Sequence, residues 1–197
     1  MMSTACGQTE KKQELKFKEG EHYEVVNDTP SEKPTVTEYF SHYCGHCFQF
    51  ERFVDTVKAQ VNADFVKSHV SYIPKNDSLV AMSMVKAFVI MQELGVEKTV
   101  SPQMFAAVHL GEERVDSEQK IKDIFLLNDI TSDQYDELYN SQEVYTKAKA
   151  MSEIWLERRI TTVPTLVVND KYKINMGSVQ SIDELIELTN ALLTLEQ

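Results

Sequence analysis

Apolar positions follow a two-residue period near both ends of the chain and a helical period in the middle. Residues 1–20 are polar and lysine-rich and read as a loose lead-in. His22 to Val26 suits a short strand, and Asn27 to Pro34, with two prolines, suits a loop. Val36 to Phe40 reads as a strand rich in β-branched and aromatic residues. Phe48, Phe50, Phe53, Val54 and Val57 then recur at helical spacing, and Asp64 to Ile73 suggests a second strand. From Asn76 the pattern is helical. Ser78 to Leu94 is apolar nearly all round, with Gly95 placed to cap it. Its Met82, Met84 and Met91 read as core. Helices are expected at Ser101–Leu110 and Ser117–Leu127, and Thr131 with Gln134 forms a capping box for another. Gln142 to Arg159 reads as a long helix with Ala148, Met151, Ile154 and Trp155 on its inner side. Strand character returns at Thr165–Val168 and Tyr172–Ile174 around a hairpin at Asn169-Asp170-Lys171. Ser181 and Glu184 form a second capping box, opening a last helix to about Leu193.

The expected fold is therefore α/β: a mixed domain built from 21–75 and 151–197, interrupted by an all-helical insertion over 76–150. No apolar run approaches the ~20 residues a membrane helix needs. The formal net charge of −11 argues against nucleic acid, whose phosphates would be repelled, and otherwise reads as a solvated acidic surface.

The chemistry concentrates in Cys44-Gly45-His46-Cys47, at the start of the first helix. Cysteines three apart share one side of a helical turn, so their sulfurs can close a disulfide without moving the chain far. Cys44 is expected at the helix N-terminus, where unsatisfied N–H groups and the positive dipole end favour the reactive thiolate. Cys47, one turn in, is expected to be less exposed and to resolve the mixed disulfide that Cys44 forms. His46 can donate a hydrogen bond or positive charge to the Cys44 thiolate, which stabilises the reduced form and strengthens the oxidant. Gly45 leaves the turn open. A CxxC pair is also half of a zinc site, but structural zinc commonly needs a second half-site, and no second CxxC or HxxxH follows. No metal and no cofactor are expected. A purely structural disulfide is disfavoured because so short a loop removes little chain entropy.

Glu38 shares a strand face with Val36 and Phe40, a few residues before the cysteine turn. A carboxyl there is expected to be partly buried, with a raised pKa, and able to exchange protons with Cys47; the alternative is an edge-strand glutamate or a structural ion pair. His69 and His109 carry no recognisable constellation. Trp155 reads as core.

Thr37-Glu38-Tyr39-Phe40-Ser41 running into Cys44-Gly45-His46-Cys47-Phe48-Gln49-Phe50-Glu51 resembles the active-site strand and helix of the DsbA family of bacterial disulfide oxidoreductases. Thr162-Val163-Pro164-Thr165 resembles that family's second signature, a cis-proline loop. The resemblance spans nearly all of the chain after about residue 20. It implies a thioredoxin-like domain split by a helical one, with Val163-Pro164 cis and facing the disulfide. It implies that Glu38 is the buried acid and that Glu51 and Lys67 are charged residues near it. It also implies work outside the cytoplasm, in the periplasm, on folding secreted proteins, with re-oxidation by a quinone-linked membrane oxidase (DsbB-like). The departure is Gly45, where most members carry proline. Cys-Gly-His-Cys is the active-site sequence of protein disulfide isomerase, whose potential lies near about −180 mV against about −120 mV for the bacterial oxidase. The expected function is a thiol:disulfide interchange protein that introduces disulfides through Cys44 and Cys47. The alternatives are an isomerase or reductase kept reduced, or a peptide-holding chaperone.

The third cysteine lies in Ser3-Thr4-Ala5-Cys6-Gly7. Small residues before a cysteine resemble the end of a bacterial lipoprotein signal, and a lipid anchor through Cys6 is one expectation. A free thiol on a loose tail is the other.

Overall fold

A computed structural model describes residues 16–195, so Cys6 and most of the lead-in lie outside the described residues. In chain order the elements are β1 (Tyr23–Val25), β2 (Thr35–Phe40), α1 (Gly45–Gln60), β3 (Asp64–His69), α2 (Ser78–Glu93), α3 (Glu97–Leu110), α4 (Glu118–Leu126), α5 (Ser132–Tyr139), α6 (Gln142–Glu157), β4 (Thr165–Val168), β5 (Tyr172–Ile174) and α7 (Ile182–Leu193). Helices α2 to α6 thus fall between β3 and β4, in the order the patterning predicts. The five strands form one mixed sheet, β1-β5-β4-β2-β3. Only β2 and β3 are parallel, and α1 makes the crossover between them.

Alternation along β4 explains the layering. Leu166 and Val168 join a core with Val36, with Phe50, Val54 and Val57 of α1, and with Leu185, Leu188 and Leu192 of α7. Val167, on the opposite face, joins the core built around α2. Helix α2 can be apolar on every side because α3, α4, α5 and α6 all pack on it. Met84 and Met91 are fully buried, and Met82 is half-buried. Phe40, at the end of β2, links sheet and helices: its ring lies 4.9 Å from Phe88 of α2 and 6.0 Å from Phe105 of α3.

The terminators act locally. Gly95 takes φ +67 after α2, a conformation that costs glycine nothing. Asn169 and Asp170 both have positive φ, and the Lys171 N–H closes the turn on the Val168 carbonyl at 3.0 Å. Asp170 is also gripped by Arg158, whose Nε and Nη2 donate to its two oxygens at 2.6 Å each, tying the end of α6 to the hairpin. Thr131 and Gln134 form the expected reciprocal capping box. At α7, Ser181 accepts the Glu184 N–H, while the Glu184 carboxylate accepts from Gln180 rather than from Ser181 itself.

Two boundaries and one buried face differ from expectation. β3 ends at His69, not Ile73, because β2 offers no partner beyond Phe40; the Val70 N–H closes the ladder on the Phe40 carbonyl. α3 begins at Glu97, a turn before Ser101, and Pro102 lies inside it. On α6 the fully buried residues are Val144 and Ala148, whereas Met151, Ile154 and Trp155 are half-buried against the core. Trp155 keeps its polar edge satisfied through Nε1–H to Ser71 Oγ at 3.1 Å.

Because Phe40 is fully buried and touches sheet and helices alike, Phe40→Ala is expected to lower unfolding stability by about 3–5 kcal/mol. Urea titration checks this: the midpoint falls while the slope is kept.

Candidate active site

β2 ends at Phe40 and α1 begins at Gly45, so four residues, Ser41 to Cys44, carry the chain from sheet to helix. Cys44 N–H donates to Ser41 O at 3.0 Å, closing a turn. Cys44 is then the N-cap of α1, with extended backbone, and its sulfur accepts the Cys47 N–H at 3.3 Å. The sulfur therefore holds the place that Ser, Thr, Asp or Asn oxygens usually take at a helix start. Both cysteines are free thiols, Cys44 9% exposed and Cys47 fully buried. Opposite them, the Cys44 thiol donates to the Val163 carbonyl at 3.3 Å, and the Val163–Pro164 peptide bond is cis. Thr165 Oγ1 bonds the Thr162 carbonyl at 2.8 Å and tightens this loop.

The two thiols are driven apart. The hydrogen bond from the Cys47 thiol is the largest cause holding Cys44 down, to about 6 from an ordinary 9.0; the N–H groups of Cys47 and His46 and the charge of His46 add to it, and burial opposes it. His46 is exposed and acts after the Cys47 thiol and the helix N–H groups; the sequence points to the helix end and His46 but not to the Cys47 thiol. Cys47 is pushed far up, first by burial, then by Cys44 and by the negative charge of Glu38.

This arrangement, a capped CxxC against a cis-proline loop on a five-stranded sheet, has known relatives. The family described as the DSBA-like thioredoxin domain matches residues 35–187. The chain belongs to that family. It is similar to the thiol:disulfide interchange protein DsbA of Dickeya dadantii, 29% identical over 170 residues that cover 84% of this chain and 80% of the relative. It is 27% identical to DsbA of Escherichia coli over 164 residues, 81% of this chain and 77% of that one. The crystal structure of DsbA from Proteus mirabilis superposes with a TM-score of 0.77 at 27% identity, covering 90% of this chain and 97% of that one. A cysteine-to-serine variant of the Proteus protein, solved with a non-covalently bound peptide, gives 0.80 at 25% identity over 91% and 99%. As a member of the DSBA-like family the protein is a thiol:disulfide oxidoreductase with a thioredoxin-like fold.

The family resemblance points to three charged residues; the register of β2 on β3 brings Glu38 and Lys67 together, and α1 supplies Glu51. Glu38 pairs with Lys67 across the parallel strands, and Phe40 with His69. Glu38 is fully buried with Lys67 Nζ 3.4 Å from one oxygen; neither carboxylate oxygen makes a hydrogen bond to protein. Lys67 Nζ donates instead to Glu51 of α1 and lies 4.3 Å from the Phe40 ring centroid. Burial raises Glu38 to about 7 from 4.5; Lys67 opposes and Glu51 reinforces that rise. A cavity of about 450 Å³ between α1 and α3 opens onto Glu51, Lys67 and Ser101.

Sequence reasoning missed a cluster of imidazoles behind the cysteine turn. His42 is fully buried, with Nε2 at 2.9 Å from Ser101 Oγ. Its N–H donates to His69 Nε2 at 3.0 Å, and His69 uses Nδ1–H on the Val70 carbonyl at 2.8 Å. The rings of His42 and His69 stack at 5.2 Å. His109 Nε2–H donates to the His42 carbonyl at 2.8 Å. Burial pushes His42 well below its ordinary value and His69 down to about 3, so both are neutral at pH 7. The only signal available in the sequence was the β2–β3 pairing that sets Phe40 beside His69. Nothing local ties His109 or Ser101 to residue 42. Among the described residues, no three His, Cys, Asp or Glu side chains are grouped to hold a metal.

Two measurements follow from these shifts. Cys44 has a folded pKa below its ordinary value, so its ionisation stabilises the reduced fold fully above about pH 9, and that contribution is lost as pH falls through about 6. The stability of the reduced protein relative to the disulfide form is expected to grow between pH 6 and 8.5, by at most about 1.4 kcal/mol per pH unit. Denaturant unfolding of both forms across that range is the check. Glu38 has the opposite sign: its folded pKa is raised, so its contribution is present below about 4.5 and is lost as pH rises through about 7. Glu38→Gln is expected to gain about 3 kcal/mol over the parent at pH 8 and little at pH 4, read from paired unfolding curves.

Proposed function

We propose that this protein is a dithiol oxidase that donates the Cys44–Cys47 disulfide to reduced, folding secreted proteins. The observation that carries the reading is the asymmetry of the pair: Cys44 is held low and Cys47 high within one helical turn. Stabilising the Cys44 thiolate favours the reduced protein and so makes its disulfide an oxidant. In the first step a client thiolate attacks Cys44 Sγ; the Cys44–Cys47 bond breaks and Cys47 leaves with the electron pair. Cys47 then takes a proton, which Glu38, with a pKa of about 7, can supply. In the second step another client thiolate attacks the client sulfur of the mixed disulfide. The client disulfide forms, and Cys44 leaves as the stable thiolate.

The supporting residues take roles that fit their places. Lys67 and Glu51 hold Glu38 in its buried site, and His46 and Gly45 form the turn between the sulfurs. Thr162, Val163 and Pro164 border Cys44 and receive an extended client chain; proline, lacking an N–H, leaves that chain weakly held. The peptide-bound Proteus structure supports a peptide site in this family. We take the thioredoxin-like part to be 21–75 and 151–197 and the helical part 76–150, with α6 running through that boundary. The work belongs in the periplasm, with re-oxidation by a quinone-linked, DsbB-like membrane oxidase. No helix among the described residues is long and apolar enough to cross a membrane. Attachment through Cys6 would accompany a lipoprotein signal ending at Ala5.

Mixing the oxidised protein with a reduced, unfolded client is expected to transfer the disulfide. Cys44→Ser is expected to abolish transfer without forming mixed disulfides. Cys47→Ser, which cannot resolve, is expected to accumulate covalent complexes on non-reducing gels. A Cys44–Cys47 potential at or below that of disulfide isomerase in glutathione buffers would shift the reading to an isomerase or reductase.

A further inference from the structure

The turn that presents Cys44 is held from outside as well as from within. The His42 peptide is bonded on both sides, its N–H to His69 of β3 and its C=O to His109 of α3. His109 stands in the last turn of α3, so its grip comes from the helical block. Its ring lies nearly parallel to Phe48, one residue past Cys47, at 5.1 Å and 8°. Its Cε1 is 4.0 Å from where a Cβ on Gly45 would stand. One imidazole thus bonds the chain before the two cysteines, stacks on it just after them, and lies beside the turn between them.

We propose that His109 is a positioning residue for thiol–disulfide exchange, fixing the His42 carbonyl and thereby the turn that sets Cys44 at the start of α1. The inference rests on Cys44 being the reactive thiolate of the proposed function. A carbonyl can only accept, so Nε2 carries the proton in this bond. The thiolate at Cys44 depends first on the Cys47 thiol and then on the N–H groups of Cys47 and His46 facing its sulfur, the Cys47 N–H lying at 3.3 Å. Those directions depend on where Ser41 to Cys44 run, and the His109 bond constrains that run directly. The end of α3 is itself fixed. Gly111 caps the helix through its N–H to Ala106 O at 3.1 Å, and a Cβ there would meet the Ala107 carbonyl oxygen at 2.5 Å. A side chain at Gly111 would therefore shift the turn that carries His109.

Three variants of the full chain test this. His109→Phe keeps a ring against Phe48 and removes the donor. His109→Gln keeps a donor and removes the ring. Gly111→Ala keeps His109 and displaces the end of its helix. Thiolate absorbance against pH gives the Cys44 pKa, and glutathione equilibria give the fraction oxidised. His109→Phe is expected to raise the Cys44 pKa by roughly half a unit or more, the scale of one hydrogen bond. Its glutathione equilibrium is expected to move about threefold or more toward the disulfide form. Gly111→Ala is expected to move both readings the same way, and His109→Gln to stay nearer the parent. Loss of stability in His109→Phe and Gly111→Ala with both readings unchanged would reduce His109 to a packing residue and overturn the inference. A parent Cys44 titrating near the ordinary thiol value would instead overturn the underlying reading of Cys44.

Discussion

A sulfur must stand where an oxygen usually caps a helix, and the rest of the active site follows from that substitution. The Cys47 N–H reaches Cys44 Sγ at 3.3 Å only because Cys44 is extended and the turn from Ser41 is closed. Once the sulfur is there, the orphan donors of the first turn favour its anion. The same placement puts Cys47 one turn deeper, out of water, where its own anion is disfavoured. Two chemically identical side chains thus acquire opposite preferences from a displacement of three residues.

Beneath the pair lies a second electrostatic contest, in which burial outweighs attraction at Glu38. The ammonium of Lys67 is 3.4 Å away, yet the carboxyl is raised because it has lost its water and gained no hydrogen bond. Lys67 commits its own hydrogen bond to Glu51, which is more exposed. The result is an acid able to change charge near neutrality while its neighbour stays a cation.

Local rules made much of this legible in the sequence. Capping residues at Thr131 and Ser181, the turn at Asn169-Asp170 and the alternation of Val36, Glu38 and Phe40 each depend on residues within a few positions of one another. Placing Cys44 at a helix start needed only the strand before it and the helix after it. Where long-range partners decide, the reading fell short. The length of β3 is set by where β2 stops, and the half-burial of Trp155 by its packing on Tyr72 and Ser71 beyond β3. The order of causes at Cys44 depends on which way the Cys47 thiol points, and the histidine cluster on α3 folding back over residue 42. His42 lies 59 residues from Ser101 and 67 from His109, and meets them only because α3 folds back over it.

The position of Lys67 on β3 has a bearing on association. β3 is an edge of the sheet, and its outward Val66 is 45% exposed. An open edge bearing an apolar side chain is a template on which an unfolded chain can add as a further strand. Inward-facing charge is one of the devices by which edge strands discourage that addition. A newcomer beside β3 would have to settle over a buried ammonium already committed to Glu51 and Glu38. The charges gathered beneath the cysteine turn thus also set the chemistry of the sheet's open flank.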